Sequence, residues 1–559
     1  MKPEGTQVAD RILREGGNAF DAAVAGQAVL GLVDANNNGI GGDAMLLLYD
    51  AKSRRVVSID AEGTAPKLAT IEWYRANAGG KLPDSDGLLS ATVPGVVDAW
   101  YVLLDRWGTM TFEQTLAPAI EMAERGFPMN DKLAGAIAGS KKLRKYPSSL
   151  RNYFPLPGGQ SVKAGDIATF PALARTMKRL VEAERAAGSQ GRRAALRAAR
   201  DEFYKGSIAR EMARFSEENG GLFRYEDFAS YSARVEEPVM TTYRGYAVYK
   251  NSSANQGPAE LIALNLLEGL DPKAMGHNSA AYIHASIEAM KLAMADRDKY
   301  MADEQFVRIP WQGLLSKEYA AERRKLIDPV KASPDFRPGA AEKFAPGFPE
   351  VNRPADVDVQ SSEGQNGDTS YIAVADRDRN IVSFTPSLHN GFGTNVVMGE
   401  LGFSFNCRGD YFSLVPGHAN ALAPGKRPRT TLQSTIVLKD GAPAMVMGSP
   451  GGDDQCMRTM QTFLNMAEFG MDPQRAIEAA RWSTRSFPMS YWPHRMYRGE
   501  ASVEDRVPEA VRDALRKKGH LLKVTGSWSL GMNAAIAIGE NGVLHAGADP
   551  RVDAYALAW

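Results

Sequence analysis

Apolar residues recur along this chain with two different periods. Residues 6–18 (TQVADRILREGGN) set them at helical spacing and stop at Gly16 and Gly17, and residues 19–33 (AFDAAVAGQAVLGLV) predict an Ala-rich helix buried on most sides. A Gly/Asn loop comes next, followed by a hairpin that runs to residue 60. Helices are expected at 95–108, at 111–127 and over most of 170–216; a capping box from Thr111 to Gln114 opens the second. Residues 240–250 (MTTYRGYAVYK) carry a strand signal, and 280–301 a long helix. A polar, Pro-containing linker over about 330–366 then delivers the chain to Thr369, where the period changes. Two strands are expected within 370–387 and two within 434–454, then a helix at 455–470 and a closing hairpin at 533–550. Helices early, strands late and Gly-rich turns predict a layered α+β protein without internal repeats.

Composition narrows the possible partners. The chain has 559 residues, 44% of them hydrophobic, enough for a large core. Lys+Arg and Asp+Glu both number 66, a balance that gives no electrostatic basis for nucleic acid or a membrane surface as a partner. The basic run at 191–203 falls at helical spacing and reads as a solvated helix face. Two cysteines, Cys407 and Cys456, cannot build a disulfide framework, and no Cys/His cluster points to a metal, so no cofactor is expected. No apolar run reaches the roughly 18 residues of a membrane span. The first residues lack the basic and apolar regions of a secretory signal. Location stays open: cytoplasmic for the chain as given, periplasmic or secreted with a leader upstream.

Candidate chemistry is sparse. GIGGDA at 39–44 matches a dinucleotide-binding pattern, but a helix precedes it and an apolar strand follows, so no helix N-terminus is available for phosphate. A tight turn that lets the backbone pack closely is the better reading. No nucleophile elbow, HExxH or P-loop occurs, and the seven histidines offer no spaced triad. A hydrolase built from this chain needs another base. An α-amino group, with pKa ~7.7–8.0, serves where the nucleophile is the first residue of a chain. In EGQNGDTSYIAVADRDRNIVSFTPS (363–387), Thr369 opens a strand directly after Asp368, and cleavage of that bond would free its amine. In GSPGGDD, Gly451 and Gly452 can aim two N–H groups at one point, as a tetrahedral oxyanion requires, although such a pair also makes a hairpin turn. Thr430 and Thr431 set two hydroxyls side by side, a pattern that also caps turns.

The succession GGNAFDAAVA, GIGGDAMLLLYDA, TAPKLAT, ATVPGVVDAW, DEFYKGSIA, YRGYAVY, EAMKLAMADRDKY, LLSKEYAAERR, GDTSYIAVAD, KRPRTT, GSPGG and ADPRVD resembles the γ-glutamyltransferase family of N-terminal nucleophile hydrolases over nearly the whole chain. The resemblance implies a four-layer αββα sandwich made as a proenzyme that cuts itself between Asp368 and Thr369. The products would be a large subunit, 1–368, intertwined with a small subunit, 369–559, as a heterodimer acting on a small-molecule amide. Thr369 matches the family nucleophile. Ser370 and Tyr371 stand where Thr and His are usual, and Ser387 takes the place of a supporting Thr.

The departures concern substrate. Glu62 stands where the family uses an Arg for the substrate α-carboxylate, and His389 where it uses an Asn. Arg408 and Tyr411 replace the residues that hold the α-amino group, with Asp410 beside them. A carboxylate cannot replace a guanidinium as a carboxylate clamp. The pattern is closer to amidohydrolase-like branches, with an acidic acyl group and Arg408, His389, Tyr411, Thr430, Thr431 and Glu62 as the binding set. The alternatives are a true γ-glutamyltransferase that hydrolyses glutathione and a non-catalytic relative used for binding.

Overall fold

The computed structural model describes residues 2–252, 254–357 and 369–558. Helix Ala19–Val33 opens with a complete capping box: Asn18 accepts from the Phe20 and Asp21 amides, and Asp21 accepts from the Asn18 amide. Every residue of this helix is buried. Its alanines and glycines let helix Pro3–Arg14 pack on one side and a β-sheet on another. The expected capping box from Thr111 to Gln114 is also present, at the head of helix Phe112–Arg125.

Two antiparallel sheets form the centre. The first runs Arg234–Glu236, Arg55–Ala61, Asp43–Asp50, Ile381–Ser387, Ile372–Ala375. The second runs Leu544–Ala548, Ala534–Ile538, Ala442–Gly448, Thr435–Lys439, Tyr246–Lys250, Val239–Tyr243. Strand Asp43–Asp50 reads as one apolar run because both of its faces are covered. Leu46 and Leu48 join the cluster of helix Ala19–Val33, whereas Leu47 and Tyr49 meet Ile436, Leu438 and Val446 of the second sheet. On the far side of the second sheet, Val248, Val437 and Met447 pack with Leu264, Met290 and Met460 from helices Pro258–Glu268, Ala280–Tyr300 and Gln455–Ala467. Helices and strands are thus layered in an α+β arrangement.

The order of elements differs from the sequence expectation. Strands do not concentrate late: Asp43–Asp50, Arg55–Ala61, Arg234–Glu236, Val239–Tyr243 and Tyr246–Lys250 all precede Thr369, and Asp43–Asp50 and Tyr246–Lys250 pair with strands that follow it. Residues 240–250 fold as a hairpin rather than one strand, because Gly245 takes a positive φ of 84° at the turn. A third sheet, Trp482–Thr484, Glu500–Glu504 and Leu521–Thr525, carries no strong alternation and went unread. The GIGGDA turn does serve close packing: a Cβ on Gly41 would lie 2.0 Å from the Ser404 carbonyl oxygen, and one on Gly42 2.4 Å from that of Ser387. Among the described residues, no helix is long and apolar enough to cross a membrane.

Candidate active site

Thr369 lies at the end of the first sheet, where the Ser370 amide donates to the Pro386 carbonyl at 3.0 Å. Its side chain is buried, and Thr369 Oγ1 lies 3.2 Å from Ser387 Oγ. Ser387 ends its strand opposite Asp43, and its Oγ also accepts the His389 amide at 2.8 Å. Asp368 falls outside the described residues. Ser370 is held by Asp34, whose Oδ2 accepts from its hydroxyl at 2.5 Å, and by Asn38, which donates to its Oγ at 2.8 Å. Sequence reasoning missed both residues. The polar residues Asp34, Asn36, Asn37 and Asn38 at a buried helix end were the signal, since such groups need partners.

A chain of hydrogen bonds links the expected binding residues. Arg408 donates through Nε to Asp43 Oδ2 at 2.8 Å and through Nη1 to the Tyr411 hydroxyl at 2.8 Å. Tyr411 in turn meets Thr431 Oγ1 at 3.0 Å. Arg408 Nη2 has no partner among the described residues. Thr430 stands apart: its hydroxyl accepts the Leu432 amide inside its own turn. Asp410 does not pair with Arg408. It holds His389 Nε2 at 3.0 Å and accepts from Ser85 at 2.7 Å. His389 takes a positive φ of 80°, sets its ring 4.5 Å from that of Tyr411 at a 45° tilt, and leaves Nδ1 without a partner among the described residues. His389, Cys407 and Asp410 converge, and burial, with the Asp410 charge, pushes the Cys407 thiol well above its ordinary pKa.

Glu62 is fully buried beside this chain. Burial and then the neighbouring Asp43 carboxylate hold its carboxyl well above the ordinary range, Arg408 acting against them. Burial and Asp43 thus favour the protonated form of Glu62, in which it can donate to Asp43. This changes the sequence-based electrostatics, which took Glu62 as a negative charge. Burial works against the Arg408 guanidinium, but its ion pair with Asp43 outweighs it and keeps it charged.

The Gly451–Gly452 turn leaves the end of strand Ala442–Gly448. Gly448 has no side chain because the Tyr371 ring fills that space; a Cβ there would lie 2.1 Å from it. This contact joins the turn's strand to the chain two residues past Thr369. Gly451 and Gly452 have φ of 96° and 61°, which glycine alone adopts cheaply. Neither amide has a backbone or side-chain acceptor among the described residues.

The gamma-glutamyltranspeptidase family profile matches residues 5–559. The chain is 33% identical to the glutathione hydrolase proenzyme of Escherichia coli (strain K12), over 98% of this chain and 88% of that one. It is 32% identical to the acylase ACY 1 proenzyme of Pseudomonas sp. (strain SE83), over 100% and 92% respectively. Its fold superimposes on the cephalosporin acylase from Bacillus halodurans with a TM-score of 0.85 at 31% identity, covering 100% of this chain and 94% of that one. With a match that runs nearly end to end, the chain belongs to the gamma-glutamyltranspeptidase family of amide hydrolases and acyltransferases.

Proposed function

We propose that this protein is an autoprocessing amide hydrolase or acyltransferase with Thr369 as nucleophile, acting on a small amide with an acidic acyl group. The observation that carries the proposal is the buried pair Thr369 Oγ1–Ser387 Oγ at 3.2 Å, with Tyr371 packed against Gly448 of the strand that leads into a glycine turn with two uncommitted amides. In maturation, Thr369 Oγ1 attacks the Asp368 carbonyl carbon. The peptide becomes an ester with a free Thr369 amine, and water then opens the ester to a carboxylate and the restored hydroxyl. In turnover, the α-amine takes the hydroxyl proton as Oγ1 attacks the substrate carbonyl, Gly451 and Gly452 stabilise the oxyanion, and the same proton leaves with the amine product. Water or an acceptor amine then releases the acyl group.

Two subunits, 1–368 and 369–559, follow from this chemistry as an intertwined heterodimer. The inter-sheet cluster between two helix-covered faces supports the four-layer αββα sandwich. For substrate, Arg408 Nη2 is the unpartnered cation donor and His389 Nδ1 the unpartnered ring nitrogen of the network. Both suit a carboxylate on the acyl part better than an α-amino acid. A clamp of that kind is worth about 2–5 kcal/mol, roughly 30- to 4000-fold in affinity.

The test compares glutaryl-p-nitroanilide with γ-glutamyl-p-nitroanilide on purified protein, beside Thr369→Ala. Two bands on a denaturing gel, the smaller starting at Thr369, with preference for the glutaryl amide, are expected. Thr369→Ala should stay uncut and inactive; efficient cleavage in that variant overturns the proposal. A second reading, glutathione hydrolysis, is favoured by the E. coli relative named for that activity. Robust turnover of glutathione and of the γ-glutamyl amide would establish it instead.

A further inference from the structure

The geometry points to Arg458 as the positioning residue of the oxyanion turn, a role that rests on the assignment of Gly451 and Gly452 as oxyanion donors. Arg458 lies in the first turn of helix Gln455–Ala467 and is buried. It reaches back over the turn that precedes its helix. Nη1 donates to Ser449 Oγ at 2.8 Å and to the Pro450 carbonyl, and Nη2 donates to the Gly451 carbonyl at 3.2 Å. Asp454 Oδ2, 3.4 Å from Nη2, balances the charge. Ser449 Oγ is itself anchored to the Met532 carbonyl at 2.7 Å.

The two carbonyls that Arg458 holds are not arbitrary. A trans peptide unit is planar, with C=O and N–H pointing in opposite directions. The Pro450 carbonyl shares its plane with the Gly451 N–H, and the Gly451 carbonyl shares its plane with the Gly452 N–H. One guanidinium that pins both oxygens from one side therefore turns both amides to the other side. A fixed cation at the oxygen end also polarises each peptide and makes its N–H a stronger donor. Gly alone tolerates the positive φ values that result. The guanidinium needs room, and Gly531 supplies it: a Cβ there would lie 2.2 Å from Arg458 Cζ. Arg458 touches no reacting atom; it acts through the turn.

A merely structural arginine and an orienting one differ in which binding they affect. Arg458→Met and Arg458→Lys are compared with wild type and with Gly452→Pro, using glutaryl-p-nitroanilide for turnover. Two inhibitors serve as probes: glutarate, a ground-state mimic, and 4-boronobutanoate, whose boron becomes tetrahedral on the Thr369 hydroxyl. Arg458→Met should lower kcat about 10- to 100-fold, short of the roughly 100- to 1000-fold loss of a deleted donor. KM and glutarate affinity should stay within about threefold, and boronate affinity should fall in parallel with kcat. Arg458→Lys, which keeps the charge with fewer donors, should lose less and carries the same comparison if the Met variant does not fold or cut itself. Equal weakening of glutarate and boronate, or wild-type kcat in both variants while Gly452→Pro is inactive, overturns the role of Arg458 and leaves the oxyanion assignment standing. Normal turnover by Gly452→Pro overturns the oxyanion assignment itself.

Discussion

Glu62 sits fully buried between Asp43 and Arg408, where its alignment position would have suggested an exposed charge in a pocket. Burial and Asp43 favour its protonated form in the folded protein. A carboxyl whose folded pKa is raised contributes stability that is complete below its unfolded value, near 4.5, and lost as pH rises toward the folded value. The loss is on the order of 1 kcal/mol per pH unit across that window. Glu62→Gln keeps a hydrogen-bond donor to Asp43 without the titration. Urea unfolding midpoints should therefore fall for wild type relative to Glu62→Gln as pH is raised above about 4.5. A difference that stays flat with pH would show that Glu62 is ionised in the native state.

Helix Ala280–Tyr300 carries a second buried titrating pair, far from Thr369 in its contacts. His284 Nε2–H donates to the Asp328 carbonyl at 2.7 Å, which leaves Nδ1 bare to accept His520 Nε2–H at 2.8 Å. The bond ties a helix that precedes Thr369 to the segment that follows helix Glu509–Lys517. Burial lowers both pKa values; His284 and the lysines Lys291 and Lys518 push His520 further, to about 3. A depressed histidine contributes stability above its ordinary value of 6.5 and loses it as pH falls toward the folded value. The wild-type melting temperature should drop from pH 6.5 to 4 more steeply than that of His520→Gln, whose amide can still donate to His284. Parallel pH profiles for the two proteins would remove the pair from the acid response.

At the scale of the molecule, both central sheets mix strands from the two sides of Thr369. Strand Asp43–Asp50 pairs with Ile381–Ser387, and Tyr246–Lys250 pairs with Thr435–Lys439. Cutting the chain before Thr369 breaks none of these ladders. The processed protein should therefore elute from a sizing column as one species while running as two bands on a denaturing gel. Separation of the fragments without denaturant would contradict the interleaved topology.

Much of this protein was legible in its sequence wherever a local signal was enough. The capping box at Thr111, the hairpins at 43–61 and 372–387 and the Gly451–Gly452 turn all depend on residues within a few positions of each other. The strand expected from Thr369, which begins at Ile372 in the structure, needed only the step from a polar loop to alternation. The order of motifs carried the family, because a long succession is specific where each piece is weak. Three things needed the tertiary structure. Glu62 favours its protonated form because Asp43 and burial, not its own neighbours in sequence, set its proton affinity. Arg408 meets Asp43 rather than Asp410 two positions on, since the Asn406 amide donates to the Gly41 carbonyl and lays that segment against the start of strand Asp43–Asp50. Arg458 faces two particular carbonyls because a helix start folds back over the turn before it. Local propensity and capping act over a few residues and can be read along the chain; charge state and orientation in a buried site depend on which groups packing brings together, whether eight residues apart like Arg458 and Pro450 or 365 apart like Arg408 and Asp43.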